Sequence, residues 1–179
     1  MGRGDKKVEH CGIALINRLK TGLNKADIVS NYHAFIRSHL DYCGTVWSSA
    51  APTHRKAVGI SQRRAQRVMA NYEQKSFCEL YEEFGAEDIE RRWREHDAIW
   101  LFRIMKADKT VSSHVKDMAT FSENSGNLRQ RKKIEVVGKS KVIETTFSWR
   151  LKCLYEQLPP SIWNAKNVDC FKTLWSTSL

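Results

Sequence analysis

The sequence predicts a mainly α-helical protein, built as a helical bundle with a small C-terminal helical region and one short β-hairpin. Apolar residues recur at spacings of three and four along most of the first 105 positions, which is the period of an amphipathic helix. Hydrophobic residues make up 41% of the chain and aromatic residues 10%, which is enough for a buried core. A pattern typical of paired strands appears only between residues 134 and 143.

Four helices are predicted in the N-terminal part of the chain. They cover residues around 13–19, 26–42, 53–72 and 76–84. Gly22, Gly44 and Gly85 follow three of these runs at positions typical of a helix end, and Pro52 closes the loop before the third helix. The letters SFCE at residues 76–79 predict a capping box, in which a serine and a glutamate satisfy free amides at the helix start.

The longest helix is predicted from about Glu87 to about Met105, with a wide apolar face. The periodicity then fades, so we expect a loop with one helical turn near Val115. A weak hairpin pattern at 134–137 and 142–143 is followed by helices around 147–158 and 168–175, the first stopped by Pro159. We therefore expect a bundle at 1–107, a loop or linker at 108–133, and a hairpin-plus-helix region at 134–179 that packs on the bundle.

The net charge of +10 favours an anionic partner, most often nucleic acid. The charge is uneven: residues 1–75 carry a net +8, residues 76–108 a net −4 and residues 109–179 a net +6. The five cysteines form no CxxC pair, and the sequence has neither an apolar leader nor a run of eighteen apolar residues. We expect an intracellular protein of the nucleus or cytoplasm, with no membrane partner.

Residues that build catalytic or metal sites are present but do not form a recognisable set. His39 and Cys43 share a helix face, yet no second closely spaced pair completes a metal site. The sequence contains none of the common motifs for nucleophiles, zinc or phosphate loops, so we expect no enzyme, no cofactor and no small-molecule substrate. Large side chains are interpreted instead as packing residues. These are His39, Tyr42, Trp47, Trp93 and Trp100.

Basic side chains provide the candidate binding residues. In the third helix, Lys56, Arg63 and Arg67 line up opposite the apolar stripe and Arg64 lies beside them, a face suited to a phosphate backbone. A denser set follows later in the chain: Arg129, Arg131, Lys132, Lys133, Lys139 and Lys141. Alternatives stay open for both sets, because the helix face also fits plain solvation, and the later run also fits a nuclear-import signal or a simple loop.

The order of these phrases resembles the C-terminal part of reverse transcriptases of non-LTR (LINE-type) retrotransposons, from the thumb onward. The resemblance begins with HLDYCGTVW at residues 39–47 and continues with QRRAQR at residues 62–67. The next family helix opens with paired arginines and holds an aspartate, matched here by Arg91, Arg92 and Asp97. Three weaker phrases then follow in the family's order: TFSWR at 146–150, Leu158-Pro159, and FKTL at 171–174. One departure is that YEQ precedes Leu158-Pro159, where the family has a tryptophan and an asparagine.

The resemblance implies a helical bundle of reverse-transcriptase thumb type. It also implies partners: an RNA/DNA template–primer duplex held through its phosphates, and a polymerase palm upstream. The two-metal chemistry of the family uses palm carboxylates in a phrase that this sequence lacks, so the chain alone is expected not to polymerise. It therefore fits a non-catalytic fragment of an RNA-directed DNA polymerase, or a host protein derived from one. Two alternatives stay open: a protein-interaction module of retrotransposon origin, and a truncated reading frame without selected function.

Overall fold

Helices make up most of the described chain, so the expected mainly α fold class is confirmed. The computed structural model describes residues 12–71, 75–85, 87–117, 119–121, 134–135 and 146–177. The chain divides into two compact units, Met1–Trp93 and Arg94–Leu179. This boundary lies earlier than the expected one at residue 107, because residues 98–104 join the hydrophobic core of the second unit.

The described residues of the first unit form five helices and the start of a sixth. They are α1 (12–19), α2, α3 (Gly44–Trp47), α4 (Pro52–Met69), α5 (Phe77–Phe84) and α6 (Ile89–Met105), which continues into the second unit. Helix α2 is continuous through Lys25–Tyr32, a π-helical stretch at His33–Arg37, and Ser38–Asp41. The π-helical stretch is absent from the sequence prediction, which gave this region an ordinary α-helical period.

The core of the first unit lies between α1, α2, α4, α5 and the beginning of α6. Its largest fully buried side chains are Tyr32, Ile16, Leu80 and Ile89, with Trp93 at 2% exposure. Helix α4 contributes the predicted stripe, since Val58, Gln62, Ala65 and Met69 are all buried. Apolar spacing therefore identified the inner face of this helix correctly.

The chain turns sharply after α2, at a different residue from the expected Gly44. Helix α2 ends at Asp41, and Cys43 adopts a left-handed conformation with φ of 53°. The carbonyl of Cys43 then accepts hydrogen bonds from the amides of Val46 and Trp47, at 2.8 and 3.0 Å. Gly44 therefore begins α3 instead of ending α2.

A buried polar junction connects α2, α4 and the start of α6. Gln62 of α4 donates from Nε2 to the carbonyl of Glu87 at 2.7 Å and accepts from the amide of Ile89 at 2.9 Å. Arg37 of α2 donates from Nη1 to the same carbonyl at 2.7 Å, and its Nε lies 3.2 Å from Oδ2 of Asp41. Because Ile89 is the first residue of α6, Gln62 satisfies an amide that has no partner within the helix.

Helix α5 begins with the predicted capping box. The Ser76 hydroxyl accepts from the amide of Glu79 at 3.3 Å, and the Glu79 carboxylate accepts from the amide of Ser76 at 2.6 Å. The helix ends at Gly85, whose φ of 58° favours glycine. Both ends of this short helix were therefore identified from sequence.

The second unit contains short helices around an aromatic core. Its elements after α6 are α7 (Ser113–Asp117), β1 (Thr120–Phe121), β2 (Ile134–Glu135), α8 (Phe147–Gln157), α9 (Pro160–Trp163) and α10 (Val168–Thr177). Phe171 stacks on Phe102 with ring centroids 4.8 Å apart and lies 5.6 Å from the ring of Trp163. A buried ion pair joins α6 to α8, with Arg150 Nε 2.7 Å from Oδ2 of Asp97.

The only strand pairing among the described residues differs from the predicted hairpin. Strand β2 pairs antiparallel with β1, so that Phe121 faces Ile134. The expected partner at 142–143 lies outside the described residues. The described part of the expected linker, residues 108–117 and 119–121, contributes α7, β1 and the buried side chains of Val111 and Ala119 to the second unit.

Replacing Gln62 by methionine should destabilise the protein by about 2–3 kcal/mol, because the buried amide of Ile89 loses its acceptor. Chemical denaturation of the whole chain measures the loss. The control is Gln157→Met, an exposed position in α8, which should change stability by no more than about 0.5 kcal/mol. Equal denaturation midpoints for the two variants would contradict the assigned role of Gln62.

Acid should weaken the contact between α5 and α2. Hydrogen bonds from Lys25 and Lys75, both 2.9 Å long, lower the pKa of Glu83 below its ordinary value of 4.5. A lowered pKa in the folded state gives a stabilisation that is present above the unfolded pKa and disappears as the pH falls through the folded one. Glu83→Gln should therefore lower the melting temperature at pH 7, and the difference from wild type should disappear below the folded pKa. A difference that persists unchanged in strong acid would refute this.

Candidate nucleic-acid interface

Helix α4 carries five basic residues and no acidic residue. Lys56, Arg64 and Arg67 are exposed, and Arg63 is half-buried. The structure therefore places Lys56, Arg64 and Arg67 on the outer side of this helix, opposite the buried stripe, with Arg63 at the edge of that side. Such a face attracts phosphates without competition from carboxylates on the same helix.

The exposed basic residues extend along most of the helix. At 1.5 Å per residue, Lys56 and Arg67 are separated by about 16 Å along the axis. At 100° per residue, Arg64 lies on one edge of the exposed face and Lys56 and Arg67 lie nearer the other. This arrangement allows contact with more than one phosphate along one side of the helix.

Arg63 differs from the other candidates because it faces α5. A methyl group placed on Gly59 would lie 3.4 Å from Nη1 of Arg63, so the guanidinium folds back along its own helix. It also lies beside Tyr81, whose hydroxyl donates to Asp88 at 3.2 Å. Burial, followed by the negative charge of Asp88, raises the pKa of Tyr81, and the positive charge of Arg63 opposes that rise. Arg63 is therefore partly committed to internal contacts.

Ile60 lies in the middle of the basic face, a feature that the sequence reasoning missed. Its side chain is 52% exposed. Lys56 and Arg64 lie one turn before and one turn after it. The signal in the sequence is the spacing: Ile60 falls outside the apolar stripe and four residues from each of these two basic residues.

The inner face of α4 holds the basic face in a defined orientation. Gln62 and Gln66 are fully buried, and Gln62 is fixed by two hydrogen bonds to the start of α6. Rotation of α4 about its axis would break both bonds and expose the apolar stripe. The exposed face is thus presented by a packed helix and not by a loop.

The second basic set cannot be placed. All six of its members lie outside the described residues: Arg129, Arg131, Lys132, Lys133, Lys139 and Lys141. The expectation that they contact phosphates therefore stays a prediction.

The residues interpreted as packing residues divide into two groups. Trp93 is buried and donates from Nε1 to the carbonyl of Leu40 at 3.2 Å, and Trp47 and Trp100 pack against the two cores. The interpretation was wrong for His39 and Tyr42, whose side chains are exposed. Leu40 occupies the inward position of this last turn, so His39 points away from the core, and Tyr42 lies beyond the end of the helix.

No group of three or more His, Cys, Asp or Glu side chains among the described residues could hold a metal ion. None of the described helices combines the length and the apolar character needed to cross a bilayer.

Comparisons of the chain with protein-family models, with curated proteins and with solved structures find no match.

Proposed function

We propose that this protein is a nucleic-acid-binding helical module of reverse-transcriptase thumb type, related to the C-terminal part of non-LTR retrotransposon reverse transcriptases. It binds template–primer duplex through phosphates, using the exposed face of α4. The observation that carries the proposal is the row of Lys56, Arg64 and Arg67 on a helix without a single carboxylate. Binding of this kind depends strongly on salt and only weakly on base sequence.

Several of the positions that carry the family resemblance have defined roles in the fold, which supports the proposal. Gln62, which opens the phrase QRRAQR, is the buried residue that caps α6. Asp97 and Arg150, which come from two separate phrases, form the buried ion pair of the second unit. Arg64 and Arg67, which also belong to QRRAQR, lie on the exposed face of α4. The sequence segments that carry the resemblance thus supply both internal polar contacts and residues of the basic surface.

The proposed module has no polymerase activity of its own. By resemblance, the carboxylates that hold the two catalytic metal ions belong to a palm phrase that this sequence lacks. Its contribution is to hold a duplex, either for a palm supplied by another polypeptide or independently of one.

A second candidate function is docking of a protein partner. Phe35, Tyr42 and Val46 are 46%, 73% and 68% exposed, and they lie in α2, directly after α2 and in α3, respectively. Exposed apolar side chains at neighbouring positions are common at protein interfaces. Self-association that survives high salt, in the absence of affinity for nucleic acid, would favour this function over duplex binding.

Changing Lys56, Arg64 and Arg67 to glutamate should abolish duplex binding at moderate salt. Fluorescence titration of an RNA–DNA duplex at several salt concentrations measures the effect. Removing three phosphate contacts should also flatten the dependence of log K on log salt by about 0.9 per contact. Arg63 is left unchanged because its substitution would disturb the contacts with Tyr81.

The matched control changes Arg18, Lys166 and Lys172 to glutamate. These residues are exposed and lie outside α4, and the change in net charge is identical. The control should retain most of the affinity. Equal losses in both triple variants would reduce the effect to net charge, and an undiminished affinity of the α4 variant would exclude this face.

Replacing Ile60 by alanine should weaken duplex binding about fivefold, because a half-exposed isoleucine loses its apolar contact with sugars or base edges. The salt dependence should not change, since no charge is removed. Val46→Ala is the control, because it shortens an exposed apolar side chain outside α4. An affinity equal to that of the control would show that Ile60 does not contact the duplex.

A further inference from the structure

Trp149 is the one tryptophan of six that packs against neither hydrophobic core of the described chain. Trp93, Trp163 and Trp175 are buried, while Trp47 and Trp100 are partly buried and pack on a core. Trp149 is half-buried in the first turn of α8, where its amide donates to the hydroxyl of Thr146 at 3.4 Å. A large aromatic ring therefore lies at the start of a helix without packing on either of these cores.

The ammonium group of a lysine lies over the ring of Trp149. The ammonium nitrogen of Lys152 lies 5.2 Å from the ring centroid, one helical turn further along α8. Among the described residues of this unit, three other aromatic–cation pairs occur, at Trp100, Phe102 and Phe147, and in each of them the ring belongs to the core or packs on it. In the described part of this unit, the pair of Trp149 and Lys152 is therefore the one aromatic–cation pair whose ring neither belongs to the hydrophobic core nor packs on it.

We propose that Trp149 and Lys152 form a binding site for an unpaired nucleotide of a single-stranded nucleic acid. The base stacks on the exposed part of the half-buried indole, and the ammonium group of Lys152 contacts the adjoining phosphate. Stacking on an aromatic platform combined with a nearby cation is the common means of binding single strands without sequence preference. This site lies on α8 and requires no contribution from the basic face of α4.

The net charge of the second unit and the surroundings of Lys152 on α8 favour a nucleotide over an apolar partner. The second unit, residues 94–179, carries 15 Lys and Arg against nine Asp and Glu, a net charge of +6. No carboxylate of the described residues forms an ion pair with Lys152. The start of α8 adds the positive end of the helix dipole beside Trp149. The one unfavourable neighbour on this helix is Glu156, one turn beyond Lys152 and exposed.

Titration of the full chain with short single-stranded oligonucleotides of RNA and of DNA tests the site. Trp149→Ala should lower single-strand affinity about tenfold, whereas Trp149→Phe should retain most of it because a stacking ring remains. Lys152→Ala should reduce the slope of log K against log salt by about 0.7, the value for one phosphate on a single strand. Glu156→Gln should raise the affinity. Leu174→Ala is the control, an exposed apolar residue of the same unit, and should have no effect.

The experiment separates this site from the proposed α4 interface. Unchanged single-strand affinity in Trp149→Ala, or equal losses in Trp149→Ala and Trp149→Phe, overturns the site, whatever the result of the duplex titrations. An absence of single-strand binding by the wild-type chain also overturns it. Loss of duplex binding in the α4 variant together with retained stacking at Trp149 supports two separate sites. Intrinsic fluorescence provides a direct readout, because the quenching seen with wild type should be missing in Trp149→Phe.

Discussion

The placement of the helices in the first unit depends on the carbonyl oxygen of Glu87. It accepts hydrogen bonds from Gln62 of α4 and from Arg37 of α2, both 2.7 Å long, immediately before α6 begins. Gln62 also accepts from the amide of Ile89, so one fully buried side chain satisfies a donor and an acceptor of the same loop. Buried polar groups are costly when unpaired, and this junction therefore allows only one relative placement of the three helices.

That constraint determines which surface α4 presents. With Gln62 pointing inward, the apolar stripe packs on α2 and α5, and Lys56, Arg64 and Arg67 must face outward. The interface proposed for duplex is thus a consequence of internal hydrogen bonding as much as of charge. Arg63 differs from these three residues, because its guanidinium interacts with Tyr81 and is therefore partly committed to an internal contact.

The second unit uses a different arrangement, in which one ion pair accompanies an aromatic core. Asp97 is 1% exposed and would be strongly destabilising without the guanidinium of Arg150, which also lies over the ring of Phe147. Phe102, Phe171 and Trp163 fill the space beyond this pair. These rings supply the packing of the second unit. Trp149, at the start of α8, packs on neither core of the described residues and forms a cation–π pair with Lys152.

The sequence by itself determined the helical class, the inner stripe of α4, the capping box of α5 and the basic face, because each depends on residues within a few turns of one another. It did not determine the π-helical stretch of α2, the turn at Cys43, the exposure of His39 and Tyr42, or the pairing of β2 with β1. Local spacing also left the partners of Gln62, Arg37 and Asp97 unidentified. The partners of these three side chains were decided by tertiary structure, because they come from segments 25 to 53 positions away in the sequence.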